Sequence, residues 1–308
     1  MTLLLTGRDV ADLLTIDDCI AAVENAFLLL GRGEVPRPAI AGVHAQGGGF
    51  HIKAAIAGDR FAAKINSNFF EAKPRIKGVI VLCDSNDGQV LAVMDSIEIT
   101  ILRTGAATAV AAKYLAREKV RNALIIGCGL QGHVQARALR RVRDIEKIFA
   151  YDTNPNAASD FAEKIAAEAV PAPVWADIVV TCTPSRSPIL HSVQPGAFVA
   201  AVGADSENKQ ELAPSLMASS KVVTDLTEQC RTIGDLHHAI AAGAMRVEDV
   251  YAELSEIVAG RKRGRERDDE VIIFDSTGMA LQDVAAAAIV YERAVAAGRG
   301  TPFAFAGF

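Results

Sequence analysis

Residues 122–135 read NALIIGCGLQGHVQ, and this stretch decides the fold. The apolar run Ala123-Leu124-Ile125-Ile126 reads as a buried strand. It breaks into Gly127-Cys128-Gly129-Leu130-Gln131-Gly132, after which Val134, Ala138 and Leu139 recur at helical spacing. This is G-x-G-x-x-G with a strand before it and a helix after it, the setting that gives the motif meaning. Gly127 permits a tight turn, Gly129 removes the side chain that would block a pyrophosphate, and Gly132 lets helix and strand pack closely. The helix start offers unbonded N–H groups and a dipole that favours an anion.

Glycines also punctuate ordinary turns, so the surroundings must support the motif. Residues 147–151 (KIFAY) read as the next strand, ending at Asp152-Thr153. A carboxylate roughly 20 residues beyond the glycines is where a ribose 2′-OH is gripped and a 2′-phosphate repelled. Residues 177–183 (DIVVTCT) and 198–203 (FVAAVG) are further apolar runs ending in small or polar residues. Parallel strands buried on both faces have this composition, and ligands sit beyond their C-terminal ends. The competing reading is a doubly wound sheet that binds something else. The combination favours a dinucleotide, NAD(H) rather than NADP(H).

The chain has 308 residues, enough for about two domains. Half of it is hydrophobic and 22% is charged, and the net charge of −5 invites neither nucleic acid nor anionic lipid. No apolar run approaches the ~20 residues of a membrane helix, and MTLLLTGRDV lacks the basic start of a signal peptide. The five cysteines are scattered and never form C-x-x-C, which predicts reduced thiols in a cytoplasmic protein and no metal site. Cys128 and Cys182 read as small buried residues near the cofactor.

Along the chain, a helix start at residues 6–9 is followed by helical spacing of Leu13, Ile16, Ile20, Val23, Phe27 and Leu30. Residues 50–55, 61–67, 78–84 and 89–94 then read as strands, the last two joined as a hairpin through Asn86-Asp87-Gly88. Residues 97–116 form an Ala-rich helix leading into the glycine motif. The mixed-charge run at 261–270 (RKRGRERDDE) reads as a solvated loop. Residues 271–275 are a final strand, and 279–297 a second Ala-rich helix expected to return to the first domain.

A hydride-transfer site needs a group to hold a carboxylate and a group to move a proton. Lys64 lies mid-strand, and His51 and Lys53, two residues apart, share a face of theirs. Taken alone, all three read as a wet sheet face. Arg103 is a charge amid much alanine in that helix, either a surface residue or a clamp for a carboxylate or phosphate. Asp205 follows a strand end, where such folds place chemistry, though a helix cap reads equally from the residues.

Five stretches together are far more specific: AVMDSIEITILRTGAATAVAAKYLAR at 92–117, IIGCGLQG at 125–132, VVTCTPSRSPIL at 179–190, VGADSENKQEL at 202–212 and IIFDSTGMALQDVAAA at 272–287. Through them the whole chain resembles the ornithine cyclodeaminase/mu-crystallin family, and within it the archaeal-type alanine dehydrogenases. The resemblance implies an α/β protein with a Rossmann-type doubly wound NAD-binding domain (118–280). A discontinuous α+β substrate-binding and dimerisation domain (1–117 with 281–308) would complete a homodimer. It implies catalytic roles for Lys64, which meets the substrate carboxylate and reacting carbon, and for Asp205 as general acid/base. Arg103 would touch substrate and cofactor, Arg37 the substrate carboxylate, and Thr277 the substrate through its backbone. Cofactor contacts would come from Thr104, Gly127, Gly129, Leu130, Gln131, Gly132, Asp152, Thr153, Thr183, Pro184, Val199, Ala200, Ala201, Val202, Lys209 and Ser276.

Some positions depart from the family pattern. The segment 68–75 (NFFEAKPR) is shorter than the usual loop, with Arg75 where a cofactor-contacting threonine is typical. His51 and Lys53 stand where relatives often have Arg or Met, and an extra cation there suits a second carboxylate or a different imino acid. The expected activity is an NAD(H)-dependent amino-acid dehydrogenase or imino-acid reductase acting on a small substrate. The alternatives are an ornithine cyclodeaminase and a mu-crystallin-type binding protein; Asp205 and Asp152 weigh against the latter.

Overall fold

The computed structural model describes residues 1–69 and 71–305. Phe70 of the 68–75 segment and the last three residues of the first expected domain lie outside that description. The chain forms two compact units, Thr104–Gly278 and Met1–Arg103 together with the chain from Met279.

Thr104–Gly278 contains an eight-stranded sheet in the order Ala252–Glu253, Lys221–Thr224, Ile272–Asp275, Phe198–Ala201, Ile178–Thr181, Asn122–Ile126, Lys147–Tyr151, Glu168–Ala169. Every neighbouring pair is parallel. Ile178–Thr181, Phe198–Ala201 and Ile272–Asp275 are buried along their whole length, as a sheet covered on both faces requires. From Asn122–Ile126 the chain runs to Lys147–Tyr151 on one side and to Ile178–Thr181 on the other. The order therefore reverses between Asn122–Ile126 and Ile178–Thr181, and their C-terminal ends lead into Gly127 and Thr183.

The helix Ile97–Leu115 ends against two arginines. Arg143 donates to the carbonyls of Ala112 (2.7 Å), Lys113 (3.0 Å) and Arg117 (3.2 Å). Arg265 donates to those of Leu115 (2.8 Å) and Glu270 (2.6 Å). The terminal carbonyls that a helix cannot satisfy internally thus find cationic donors. This corrects the reading of 261–270 as a merely solvated loop: Arg265 turns inward, and Glu270 pairs with Lys221 at 3.1 Å.

In the other unit seven strands run in the order Thr301–Phe303, Thr2–Leu5, Val90–Asp95, Ile76–Asp84, Arg60–Phe69, Gly48–Ala57, Ala39–Ala45. All pairs are antiparallel except Thr2–Leu5 with Val90–Asp95. The expected hairpin is present, with Ile80 opposite Met94. The helical stretch read from residue 6 onward is two helices, Gly7–Leu13 and Ile16–Arg32. Leu14 is extended, and Thr15 and Asp18 form a capping box that starts the second helix afresh.

Residues directly opposite in an antiparallel pair share a face. Lys53, Lys64 and Ile80 therefore line one face, the one on which Ala280–Ala297 packs. Phe50, Ile52, Ile65 and Val79 line the other, where Phe50, Ile65 and Val79 are exposed. No helix among the described residues is long and apolar enough to cross a membrane.

Candidate functional site

On the helix-covered face, Lys64 is 3% exposed and its Nζ donates to Asp283 Oδ1 at 2.7 Å. Arg103 Nε donates to the same oxygen at 3.2 Å, and Arg103 Nη1 to Gln282 Oε1 at 3.1 Å. Thr100, one turn before Arg103 on its helix, lies 3.4 Å from Lys64 Nζ. Lys53 is directly opposite Lys64 and 7% exposed. The wet-face reading of Lys64 and Lys53 is thus corrected, as is the surface reading of Arg103, which is buried. Two neighbouring strands supply one lysine each, and two helices close over them.

Three cations surround one carboxylate in a space sheltered from water. Burial pulls Lys64 down to about 7; Asp283 opposes the shift, while Arg103 and Lys53 add to it. Burial would raise Asp283, but Lys64 and Arg103 outweigh it and hold the carboxyl below its ordinary range. Among the described residues, Asp283 Oδ2 and Gln282 Nε2 are buried without a hydrogen-bond partner. Sequence reasoning missed both residues. The signal available was their place in the QDV step of the last helix, where two polar side chains enter an otherwise alanine-rich face.

In the other unit, Gly127 has φ 104, and a Cβ there would lie 2.8 Å from the Cys182 carbonyl. Gly129 is the extended residue before the ten-residue helix Leu130–Leu139 and gives no side-chain cap; a Cβ on it would meet nothing within 4 Å. Gly132 backs onto the Gly127 carbonyl. The helix N-terminus is therefore open, with a bare backbone beside it, as a pyrophosphate needs. Asp152 follows Lys147–Tyr151, accepts from Cys128 N at 2.9 Å and so ties the adjoining strand end to the glycine loop. Burial and Asp152 push the Cys128 thiol up to about 12, consistent with a small buried residue.

Thr183 donates from N (2.6 Å) and Oγ1 (2.8 Å) to buried Glu211, which also accepts from Gly203 N at 2.8 Å. Asp205 is exposed, two residues past Gly203, and pairs with Lys209 Nζ at 2.6 Å. The segment between it and Gln210–Leu212 is not a helix, so Asp205 is no helix cap. Val199, Ala200, Ala201 and Val202 are buried at the end of their strand. Ser276 and Thr277 are buried and donate to Asp225 at 3.2 and 3.1 Å. Leu130, Thr153 and Pro184 are exposed at the strand ends, and Gln131 is half-buried. Thr104 follows Arg103 on the helix. Arg37 is exposed before Ala39–Ala45, His51 is half-buried on the Lys53 face, and Arg75 Nε donates to Asn68 at 3.1 Å.

Comparison with known proteins accords with this architecture. The chain matches the ornithine cyclodeaminase/mu-crystallin family over residues 1–298 and belongs to it. It is 38% identical over 317 residues to an alanine dehydrogenase of Archaeoglobus fulgidus, covering 99% of this chain and 98% of that one. An archaeal alanine dehydrogenase dimer with bound NAD superposes with a TM-score of 0.96 at 38% identity, over 99% of both chains. A Thermococcus litoralis Δ1-pyrroline-2-carboxylate reductase in complex with NADH and L-proline gives 0.92 at 33% identity, over 98% of this chain and 100% of that one. The iminosuccinate reductase of Paracoccus denitrificans with NAD+ gives 0.89 at 30%, over 97% and 98%.

Replacing Asp283 by Ala leaves buried Lys64 and Arg103 without their shared carboxylate. The expected cost is about 3–5 kcal/mol in urea unfolding near pH 6. At pH 9 the cost shrinks, because neutral Lys64 no longer needs a counter-charge. A loss under about 1 kcal/mol at pH 6 would contradict the paired arrangement.

Proposed function

We propose that this chain is an NAD(H)-dependent amino-acid dehydrogenase, or in the opposite direction a 2-imino-acid reductase, acting at C2 of a small substrate. The observation that carries the reading is the buried Lys64–Arg103–Asp283 cluster, in a chain that also holds an open glycine loop. Buried polar groups ordinarily find partners. A substrate with a carboxylate and an amino or imino nitrogen supplies partners for the two cations and for Asp283 Oδ2. The relatives named above act on such compounds, and two of the similar structures hold NAD or NAD+ and one holds NADH.

NAD(H), when bound, supplies the hydride donor or acceptor. Lys64 and Arg103 hold the substrate carboxylate, joined by Arg37, with Thr277 a further substrate contact. Each charge-assisted bond is worth about 1.5–3 kcal/mol net. Asp205 moves a proton to or from the substrate nitrogen or oxygen. The glycine loop, Asp152, Thr183, Lys209 and Ser276 hold the cofactor, and an acidic Asp152 favours NAD(H) over NADP(H). Thr104–Gly278 is assigned to the cofactor and the other unit to substrate and dimerisation. Lys53, buried beside Lys64, and His51 on the same face favour a second reading within this one, a substrate with a further acidic group. Five free cysteines suit a cytoplasmic setting.

The test follows NADH absorbance with pyruvate, other 2-oxo acids and oxaloacetate, each with ammonia or methylamine, and with cyclic imino acids. Oxidation of NADH by one of them is expected, and Asp205→Ala should lower that rate by about 10²–10⁴-fold, the span of general acid–base catalysis. Proline and ammonia formed from L-ornithine, with no net NADH change, would replace the reading by a cyclodeaminase. Full activity of Asp205→Ala would remove the acid/base assignment.

The homodimer is proposed to form through the outer sheet face, where Val43, Ile65 and Val79 are 54%, 39% and 40% exposed. Light scattering is expected to give twice the chain mass, and Ile65→Asp with Val79→Asp to give a monomer. A dimer undisturbed by both changes would place the interface elsewhere.

A further inference from the structure

Four carboxylates lie buried beneath the C-terminal edge of the parallel sheet: Glu211, Asp235, Asp275 and Asp225, each at most 1% exposed. Among the described residues none of the four is in a salt bridge with lysine or arginine. Their partners are backbone N–H groups, hydroxyls and the Cys230 thiol, and several of those partners (Thr183, Gly203, Ser276, Thr277 and Gly278) lie on the loops of the site.

Glu211 takes Thr181 Oγ1 (2.8 Å), Thr183 N and Oγ1, and Gly203 N, so one side chain joins the loop of Thr183 to the loop leading to Asp205. The backbone of Glu211 is fixed in turn. Its N–H and that of Leu212 both donate to Asp235 Oδ1 at 2.8 Å. The N–H of Leu236, next to Asp235, donates to Asp275 Oδ2 at 2.9 Å. Gly234, with φ 92, makes this approach possible: a Cβ there would lie 3.1 Å from both Asp275 carboxylate oxygens. Immediately after Asp275, Ser276, Thr277 and Gly278 all donate to Asp225.

The three loops are thus joined through carboxylates. We propose that Glu211 and Asp235 are positioning residues that set the Thr183 and Gly203–Asp205 loops in register with the Ser276–Gly278 loop. A carboxylate accepting several N–H bonds defines the position of each donor. Asp235 Oδ2 has no hydrogen-bond partner among the described residues. The titratable groups set against it are Glu211 and Asp275, with Asp225 and Cys230 beyond Asp275. Burial and Glu211 push Asp235 up to about 7, well above the ordinary carboxylate range, and Asp235→Asn keeps an oxygen acceptor in its place without a charge.

The inference rests on the roles proposed above for Thr183 and Asp205, but one of its two readouts does not. In Asp235→Ala, amide hydrogen exchange is expected to quicken at residues 181–185, 202–205 and 210–212. The glycine loop at 127–132 should be unchanged, and kcat/KM should fall at least tenfold. Asp235→Asn keeps the acceptor and should restore both within threefold. Should the alanine variant not fold, Glu211→Gln carries the test. It leaves an oxygen for Thr183 and turns an N–H toward Gly203, so kcat should fall at least fivefold while NADH affinity changes less than twofold. Exchange unchanged, exchange raised uniformly, or Asn as damaging as Ala would each overturn the proposal. A wild-type protein inactive on every substrate would instead overturn the functional reading, and the exchange pattern would still judge the network.

Discussion

A lysine and an arginine buried together around one carboxylate constrain the rest of this molecule. Charges in a low-dielectric interior repel strongly, and removing them from water is costly. Lys64 and Arg103 remain there because Asp283 Oδ1 accepts from both. That arrangement needs a strand, the helix Ile97–Leu115 and the helix Ala280–Ala297 to converge, so the last helix must return to the sheet built by the first hundred residues. The discontinuity of this unit follows from chemistry as much as from packing.

The two units solve the problem of buried polarity in opposite ways. Met1–Arg103 with the chain from Met279 collects cations around a single carboxylate. Thr104–Gly278 collects carboxylates and holds them chiefly with backbone N–H groups and hydroxyls. A cation cluster suits an incoming carboxylate, whereas N–H-bonded carboxylates hold loops without presenting a positive surface that would compete for the same anion. Both are arrangements in which position is tightly defined, which catalysis by orientation requires.

Five of the eight strands of the parallel sheet were legible in the sequence because they are continuous apolar runs ending in glycine or polar residues, a local signal, whereas Lys221–Thr224 and the two-residue Glu168–Ala169 and Ala252–Glu253 were not read. The helix Ile97–Leu115 and the hairpin of Ile76–Asp84 with Val90–Asp95 were legible for the same reason. Thr2–Leu5 and Thr301–Phe303 were not: a four-residue and a three-residue strand are defined by pairing with distant partners. Ala39–Ala45, exposed along its length, carries no alternation to read. In the site, the glycine loop and Asp152 announced themselves by spacing. Lys64 and Arg103 were named through family resemblance, since burial of a lysine on a strand depends on a helix more than two hundred residues later. Asp283 escaped because the only local sign, a polar step in an alanine-rich helix, does not by itself separate a buried ion-pairing aspartate from one facing water.

We propose that Lys64, buried and charge-coupled, receives a substrate carboxylate. The most direct test is NMR titration of the Lys64 ammonium in protein labelled at lysine, with Lys64→Met for assignment. Titration at about 7 in the free protein is expected, moving upward when a 2-oxo acid binds in the presence of the cofactor. Titration near the ordinary lysine value of about 10.4, unmoved by any carboxylate ligand, would contradict it.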